Sequence, residues 1–193
     1  PILGLGYPKE DLAVLKKLKS YILEDDLNNM SFDFDFIGLQ CYTREVVRAS
    51  LLIPYIGAEL VSAEKRNVIA TEMGWEVYPP ALYHIIKRFN AYKNIKKIII
   101  TENGAAFPDI VKNGKVYDIK RTHYIQDHLE QLLKAKKDGY NVDGYFVWSL
   151  TDNFEWAEGY NARFGLIHID FDTQKRTIKQ SGMWFRDFLS KNN

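Results

Sequence analysis

The chain has 193 residues, with 26 Lys and Arg against 25 Asp and Glu for a formal net charge of +1, 46% hydrophobic residues and one cysteine. These proportions exclude disordered, collagen-like and disulfide-stapled classes, and the near-neutral balance argues against a nucleic-acid partner. No apolar run is long enough for a membrane span, and the first residues show neither a signal peptide nor an initiator Met, so a processed chain or a piece of something longer is expected. The length suffices for one domain with a core but falls short of the roughly 250 residues typical of a complete eight-fold β/α barrel.

In chain order, the first pattern is helical: Asp11 to Ile22 places Leu12, Leu15, Leu18 and Ile22 three or four apart. Asp35 to Tyr42 (DFIGLQCY) then reads as a strand. A helix is expected from the Pro79-Pro80 pair, since proline suits a first turn, with Leu82, Ile85, Ile86 and Phe89 on one side. Lys97 to Thr101 (KIIIT) is a second strand. The next helix runs from about Arg121 to Lys137, with Asp118 as a candidate N-cap, Tyr124, Ile125, Leu129, Leu132 and Leu133 inward, and Gly139 past its end. Gly144 to Leu150 (GYFVWSL) is the third strand, and a last helix carries Met183, Trp184, Phe185, Phe188 and Leu189. All three strands read as buried on both faces, as parallel strands covered by helices are. The succession is α/β, and no repeat or linker divides residues 1–193.

Chemistry gathers where two strands end. KIIIT runs straight into Glu102-Asn103-Gly104, so a carboxylate stands at a strand's C-terminal end, the edge at which β/α barrels and open α/β sheets bind ligands. The third strand leads into a segment dense in aromatics and acids: Trp148, Asp152, Phe154, Glu155, Trp156, Glu158 and Tyr160. Flat apolar rings beside hydrogen-bond acceptors suit a sugar, whose C–H face stacks on indole while its hydroxyls donate to carboxylates. Composition alone favours the plainer reading of core aromatics and solvated acids. Cys41 has no partner for a disulfide, sits among apolar residues, and reads as a small core hydrophobe compatible with a reducing compartment. His84, His123, His128 and His168 lack metal-ligand spacing, no glycine loop is placed to cradle phosphate, and the lysines of 93–97 and 134–137 read as solvated faces.

The stretches TENG (Thr101 to Gly104), GYFVWSLTDNFEWAEGYNARFG (Gly144 to Gly165), DFIGLQCYT (Asp35 to Thr43) and EMGWEVYP (Glu72 to Pro79) together resemble the β-glucosidase family of retaining glycoside hydrolases, glycoside hydrolase family 1. GLGYPKEDL at the start is similar to that family's segment between barrel strands five and six, and KRTIKQSGMWFRDFL to its C-terminal helix, so the resemblance spans essentially the whole chain. It implies part of a (β/α)8 TIM barrel, the C-terminal three β/α units with strands six to eight, and a cytoplasmic hydrolase with no cofactor. Glu102 would be the nucleophile that attacks the anomeric carbon and forms a glycosyl-enzyme ester, opened by water with net retention. Tyr42 would hydrogen-bond that carboxylate. Trp148, Glu155 and Trp156 would form the floor and hydroxyl-binding wall of the sugar subsite, with Phe164 near the hydroxymethyl group and Trp75 at the mouth. A branch acting on 6-phosphorylated glycosides has Ser, Lys and Tyr where this chain has Glu155, Ala162 and Phe164, so an unphosphorylated β-glycoside is expected here. One departure touches the site: Gln40-Cys41-Tyr42 stands where the family has Asn-Tyr-Tyr, so Gln40 adds a methylene to the sugar-binding wall.

A retaining glycosidase needs a second carboxylate about 5–5.5 Å from the first. In the family this general acid lies in an Asn-Glu-Pro motif on the fourth strand, and that motif is absent from this sequence. The resemblance therefore implies either that an N-terminal portion of the same barrel completes the enzyme, or that the chain is a non-catalytic sugar-binding or interaction module.

Overall fold

The structure is a computed structural model that describes residues 1–7, 16–54 and 56–191. Residues 11–15 of the expected Asp11 to Ile22 helix lie outside the described residues; the described remainder forms a 3-10 helix, Lys17–Tyr21. A short helix α1 (Asp26–Met30) precedes strand β1 (Ile37–Gln40). The hairpin β2–β3 (Val47–Ala49, Ala58–Leu60) and helix α2 (Pro80–Asn90) lead to β4 (Ile98–Asn103). A hairpin β5–β6 (Ile110–Lys112, Lys115–Tyr117) and the long helix α3 (Ile119–Lys137) lead to β7 (Val142–Val147). A final hairpin β8–β9 (Ile167–Ile169, Arg176–Ile178) and helix α4 (Gln180–Lys191) close the described chain.

The central sheet has the order β1-β4-β7 and both pairings are parallel, so α2 and α3 serve as the crossovers that parallel strands require. Pro80 opens α2 at a position where its missing N–H costs no hydrogen bond, and Leu82 and Ile86, four apart, are completely buried. They pack with Leu39, Ile98, Ile100, Leu132 and Val142 into the core between sheet and helices. α3 buries Tyr124, Ile125, His128, Leu129, Leu132 and Ala135, and Gly139, with φ +89°, turns the chain out of it.

Three expectations are corrected. The strands are buried on one face only: Ile98 and Ile100 are sealed against the helices, whereas Gly38 and Phe146 (61% exposed) lie on the opposite face of the sheet. Strand residues alternate between faces, and among the described residues no layer covers that second face. Leu133 is 49% exposed, because the buried stripe of α3 passes through Leu129, Leu132 and Ala135. Asp118 occupies the N-cap position of α3 but makes no capping bond. Its carboxylate instead takes the Arg121 guanidinium and the Ser181 amide and hydroxyl, joining the starts of α3 and α4.

Candidate active site

Glu102 is the fifth residue of β4, one strand position from completely buried Asn103. Its Oε2 accepts a hydrogen bond from the Tyr42 hydroxyl at 2.6 Å. Tyr42 follows β1, the neighbouring strand, whose Gln40 is in register with Glu102. Burial, then the bond to Glu102, raise the Tyr42 phenol above its ordinary value, so it stays protonated and serves as a donor.

These residues line one cavity of about 360 Å³ together with Gln40, Trp75, Trp148, Glu155, Trp156 and Phe164. Every site residue expected from the sequence thus reaches the same pocket. The aromatic wall is layered: Tyr42 and Trp75 have centroids 5.3 Å apart, and Phe164 meets each of them at 6.2 Å. Phe164 is sealed at 2% exposure, whereas Trp156 at 79% leaves a whole indole face open. The aromatics therefore divide between core and site, and neither simple reading of composition describes them all.

Local geometry explains these placements. A Cβ on Gly104 would lie 1.8 Å from the Trp148 carbonyl oxygen, so only glycine lets the end of β4 close against the segment carrying Trp148. The Trp148 amide in turn donates to the Asn103 carbonyl (2.9 Å), and the Trp148–Ser149 peptide is cis. The Trp148 indole N–H donates to Glu155 Oε2 at 3.3 Å, aligning the second carboxylate of the pocket. Trp75 is held through its neighbour: Arg44 and Arg66 pair with the buried Glu76 carboxylate (2.9 and 2.8 Å) and hold it below the usual carboxylate range. Thr43 adds a bond to the Glu76 carbonyl (2.9 Å).

Cys41 points away from the pocket into the core beneath the helices, where burial pushes its thiol up to about 11, which removes it as a nucleophile at neutral pH. Among the described residues, Asp109, Asp152 and His168 are the group whose ligand atoms converge. Lys179 Nζ sits 2.7 Å from both aspartates and already supplies the positive charge there. No helix among the described residues is long and apolar enough to cross a membrane.

Two largely buried sets of polar residues were not legible in the sequence. One is the ion network Asp118, Arg121, Asp109, Lys179, Asp152 and Arg163. The other is Asn103 with Tyr124 and Tyr145. Their sequence signals were present but weak: Lys179 precedes an apolar helix, and Asn103 directly follows the carboxylate.

A family model described as Glycosyl hydrolase family 1 matches residues 2–193. The chain belongs to this family. It is 42% identical over 193 residues to a 1,4-beta-D-glucan glucohydrolase of Thermotoga neapolitana, covering all of this chain and 43% of that protein. It is 38% identical over 195 residues to a 6-phospho-beta-galactosidase of Clostridium acetobutylicum, covering 91% of this chain and 38% of the relative. Among solved structures, a family 1 β-glucosidase from Thermotoga maritima superposes with a TM-score of 0.90 at 40% identity, over all of this chain and 43% of that one. The chain thus spans less than half the length of the relatives it matches, and its three-stranded parallel sheet with flanking helices is an α/β arrangement consistent with part of a barrel.

Proposed function

We propose that this chain forms the C-terminal part of a retaining β-glycosidase, contributing barrel strands six to eight, with Glu102 as nucleophile, and that an N-terminal portion of the barrel supplies the general acid. The observation that carries the reading is the convergence of Glu102, its 2.6 Å partner Tyr42 and the Trp148, Glu155, Trp156 wall on one cavity. Glu102 attacks the anomeric carbon while the leaving oxygen takes a proton from the outside acid; water, deprotonated by that same group, then opens the ester. Tyr42 directs one lone pair of the carboxylate and leaves the other oxygen for attack. Glu155 accepts glycone hydroxyls and the open indole of Trp156 stacks on or donates to the ring.

The substrate is an unphosphorylated terminal β-D-glucoside or a related β-glycoside. The cavity residues include two carboxylates and no Lys or Arg, which disfavours a phosphate, although one relative is named for a 6-phospho substrate. The relatives' enzyme names favour catalysis over a purely sugar-binding module. The test is hydrolysis of 4-nitrophenyl β-glucoside by the chain together with the segment that completes its barrel. Turnover abolished by Glu102→Gln, with the β-anomer released first, supports the proposal. Saturable glucose binding without any turnover contradicts it.

A further inference from the structure

Behind the Glu102–Tyr42 pair lies a buried polar cluster that the proposed reaction does not use. Asn103 and Tyr124 are 0% and 1% exposed. Asn103 follows Glu102 on β4, and the alternation of the strand sends its side chain to the helix side. There its Nδ2 donates to the Cys41 carbonyl at 2.5 Å and to the Tyr124 hydroxyl at 3.2 Å, while its Oδ1 accepts from the Tyr145 hydroxyl at 2.6 Å. Tyr124, on α3, donates its own proton to the main-chain carbonyl of Tyr42 at 2.7 Å.

Two carbonyls fix every proton in this cluster. The Cys41 oxygen can only accept, so the Asn103 atom facing it is nitrogen, and the Tyr145 hydroxyl must then donate to Oδ1. The Tyr42 oxygen can only accept, so the Tyr124 proton is committed to it and the phenol oxygen is left to accept from Asn103. Each amide hydrogen of Asn103 has a partner, which a buried polar network needs if it is to rigidify its surroundings. His128 stacks on the Tyr124 ring with centroids 3.9 Å apart and bonds the Tyr124 carbonyl through Nδ1 at 2.7 Å.

We propose that Asn103 and Tyr124 are positioning residues for the nucleophile, clamping the main chain of Cys41 and Tyr42 to β4 and α3 so that the Tyr42 hydroxyl meets Glu102. This deepens the function proposed above and rests on it. The register of β1 with β4 ends at Gln40 and Glu102, and the Cys41 amide adds one bond to the Glu102 carbonyl at 3.0 Å. Past that point the clamp takes over from the ladder. It holds the Tyr42 backbone from the side opposite the pocket, so the Tyr42 ring keeps one height relative to the Glu102 carboxylate.

The experiment is a double-mutant cycle in the barrel-completed protein, using Tyr42→Phe, Tyr124→Phe and the two combined. It reads kcat/KM for 4-nitrophenyl β-glucoside per titrated active site and Ki for glucose. Tyr124→Phe keeps the ring and its stacking and loses two hydrogen bonds, the one donated to the Tyr42 carbonyl and the one accepted from Asn103, so kcat/KM falls about 5-fold while Ki changes by less than about twofold. In the Tyr42→Phe background the same substitution costs almost nothing further, because there is no hydroxyl left to aim. Equal losses in both backgrounds, or no loss per active site, overturn the inference. Should Tyr124→Phe not fold, Tyr145→Phe, which frees only Asn103 Oδ1, carries the same expectation with a smaller loss. A parent protein that turns over no β-glycoside removes the proposed function and this inference with it, whereas an active parent with an additive cycle strikes the inference alone.

Discussion

Glu102 lies at the C-terminal end of β4 and Asp152 in the segment that leaves the neighbouring β7, and the chain treats the two carboxylates oppositely. Asp152 is 4% exposed and accepts from Lys179 Nζ and Arg163 (2.7 Å each), the Gly165 amide (2.9 Å) and the Ile169 amide (3.3 Å). Burial alone would raise its carboxyl, but Lys179 and Arg163 outweigh that and hold it below the usual range. Glu102 takes one neutral phenol and faces an open cavity. A carboxylate tied to two cations and two amides has its charge and lone pairs consumed by the fold. One held by a single uncharged donor keeps an oxygen available for chemistry.

Exchanging what each carboxylate has, or removing it, separates the two roles. The largest effect is expected from Glu102→Gln in the completed barrel: loss of glycosidase activity on the order of 10^4-fold or more, because the substitution removes the proposed nucleophile. The thermal midpoint should barely move, which differential scanning calorimetry reads. Lys179→Met inverts that pattern. It strands Asp109 and Asp152 without their shared cation, and chemical denaturation should show a loss of about 3–5 kcal/mol. Activity per folded molecule should change little in comparison.

A pH series sharpens the distinction further, through His128 at 1% exposure, where burial pushes the imidazole down to about 4 from its ordinary 6.5. Its Nδ1 bonds a helix carbonyl and its Nε2 is buried with no hydrogen-bond partner among the described residues, so the folded state holds the neutral ring. The unfolded chain binds the extra proton first. Stability is therefore full above about pH 6.5, falls as pH drops towards 4 and levels off below, with a total cost on the order of 3 kcal/mol. His128→Leu should flatten that part of the stability curve; an unchanged slope from pH 6.5 to 4 would contradict the assignment. The smallest effect is expected at the pocket wall. Trp148→Phe removes the indole donor 3.3 Å from Glu155 and should raise KM about 5-fold, with kcat nearly unchanged.

Much of this architecture was legible because its signals are local. Leu82 and Ile86 announced the inner face of α2, KIIIT announced β4, and the TENG stretch placed Glu102 at a strand end. The one-sided burial of the sheet was not legible. Phe146 and Gly38 have the composition of buried strand positions, and only the absence of a layer over them among the described residues leaves them open. The buried ion network was equally hidden: Asp118 and Arg121 read as helix-start residues, and their partners Ser181, Asp109 and Lys179 lie on other elements. Tyr124 was legible as an inward helix residue but its hydroxyl was not, since a helix pattern reports burial and says nothing of the carbonyl that a phenol meets across the fold. Within the site itself, the residues to be gathered were readable from the family motifs, while Gln40 and Cys41 depart from the pattern and still divide as alternation requires, Gln40 into the pocket and Cys41 into the core.

The most direct test of the central claim is to trap the covalent intermediate. The barrel-completed protein is incubated with an activated 2-deoxy-2-fluoro-β-glucoside, which slows opening of the ester, and the labelled peptide is mapped by mass spectrometry. One sugar per molecule is expected, attached to the peptide that contains Glu102 and absent from Glu102→Gln. A label on Glu155 or Asp152, or turnover that releases the inverted anomer with no label at all, would contradict it.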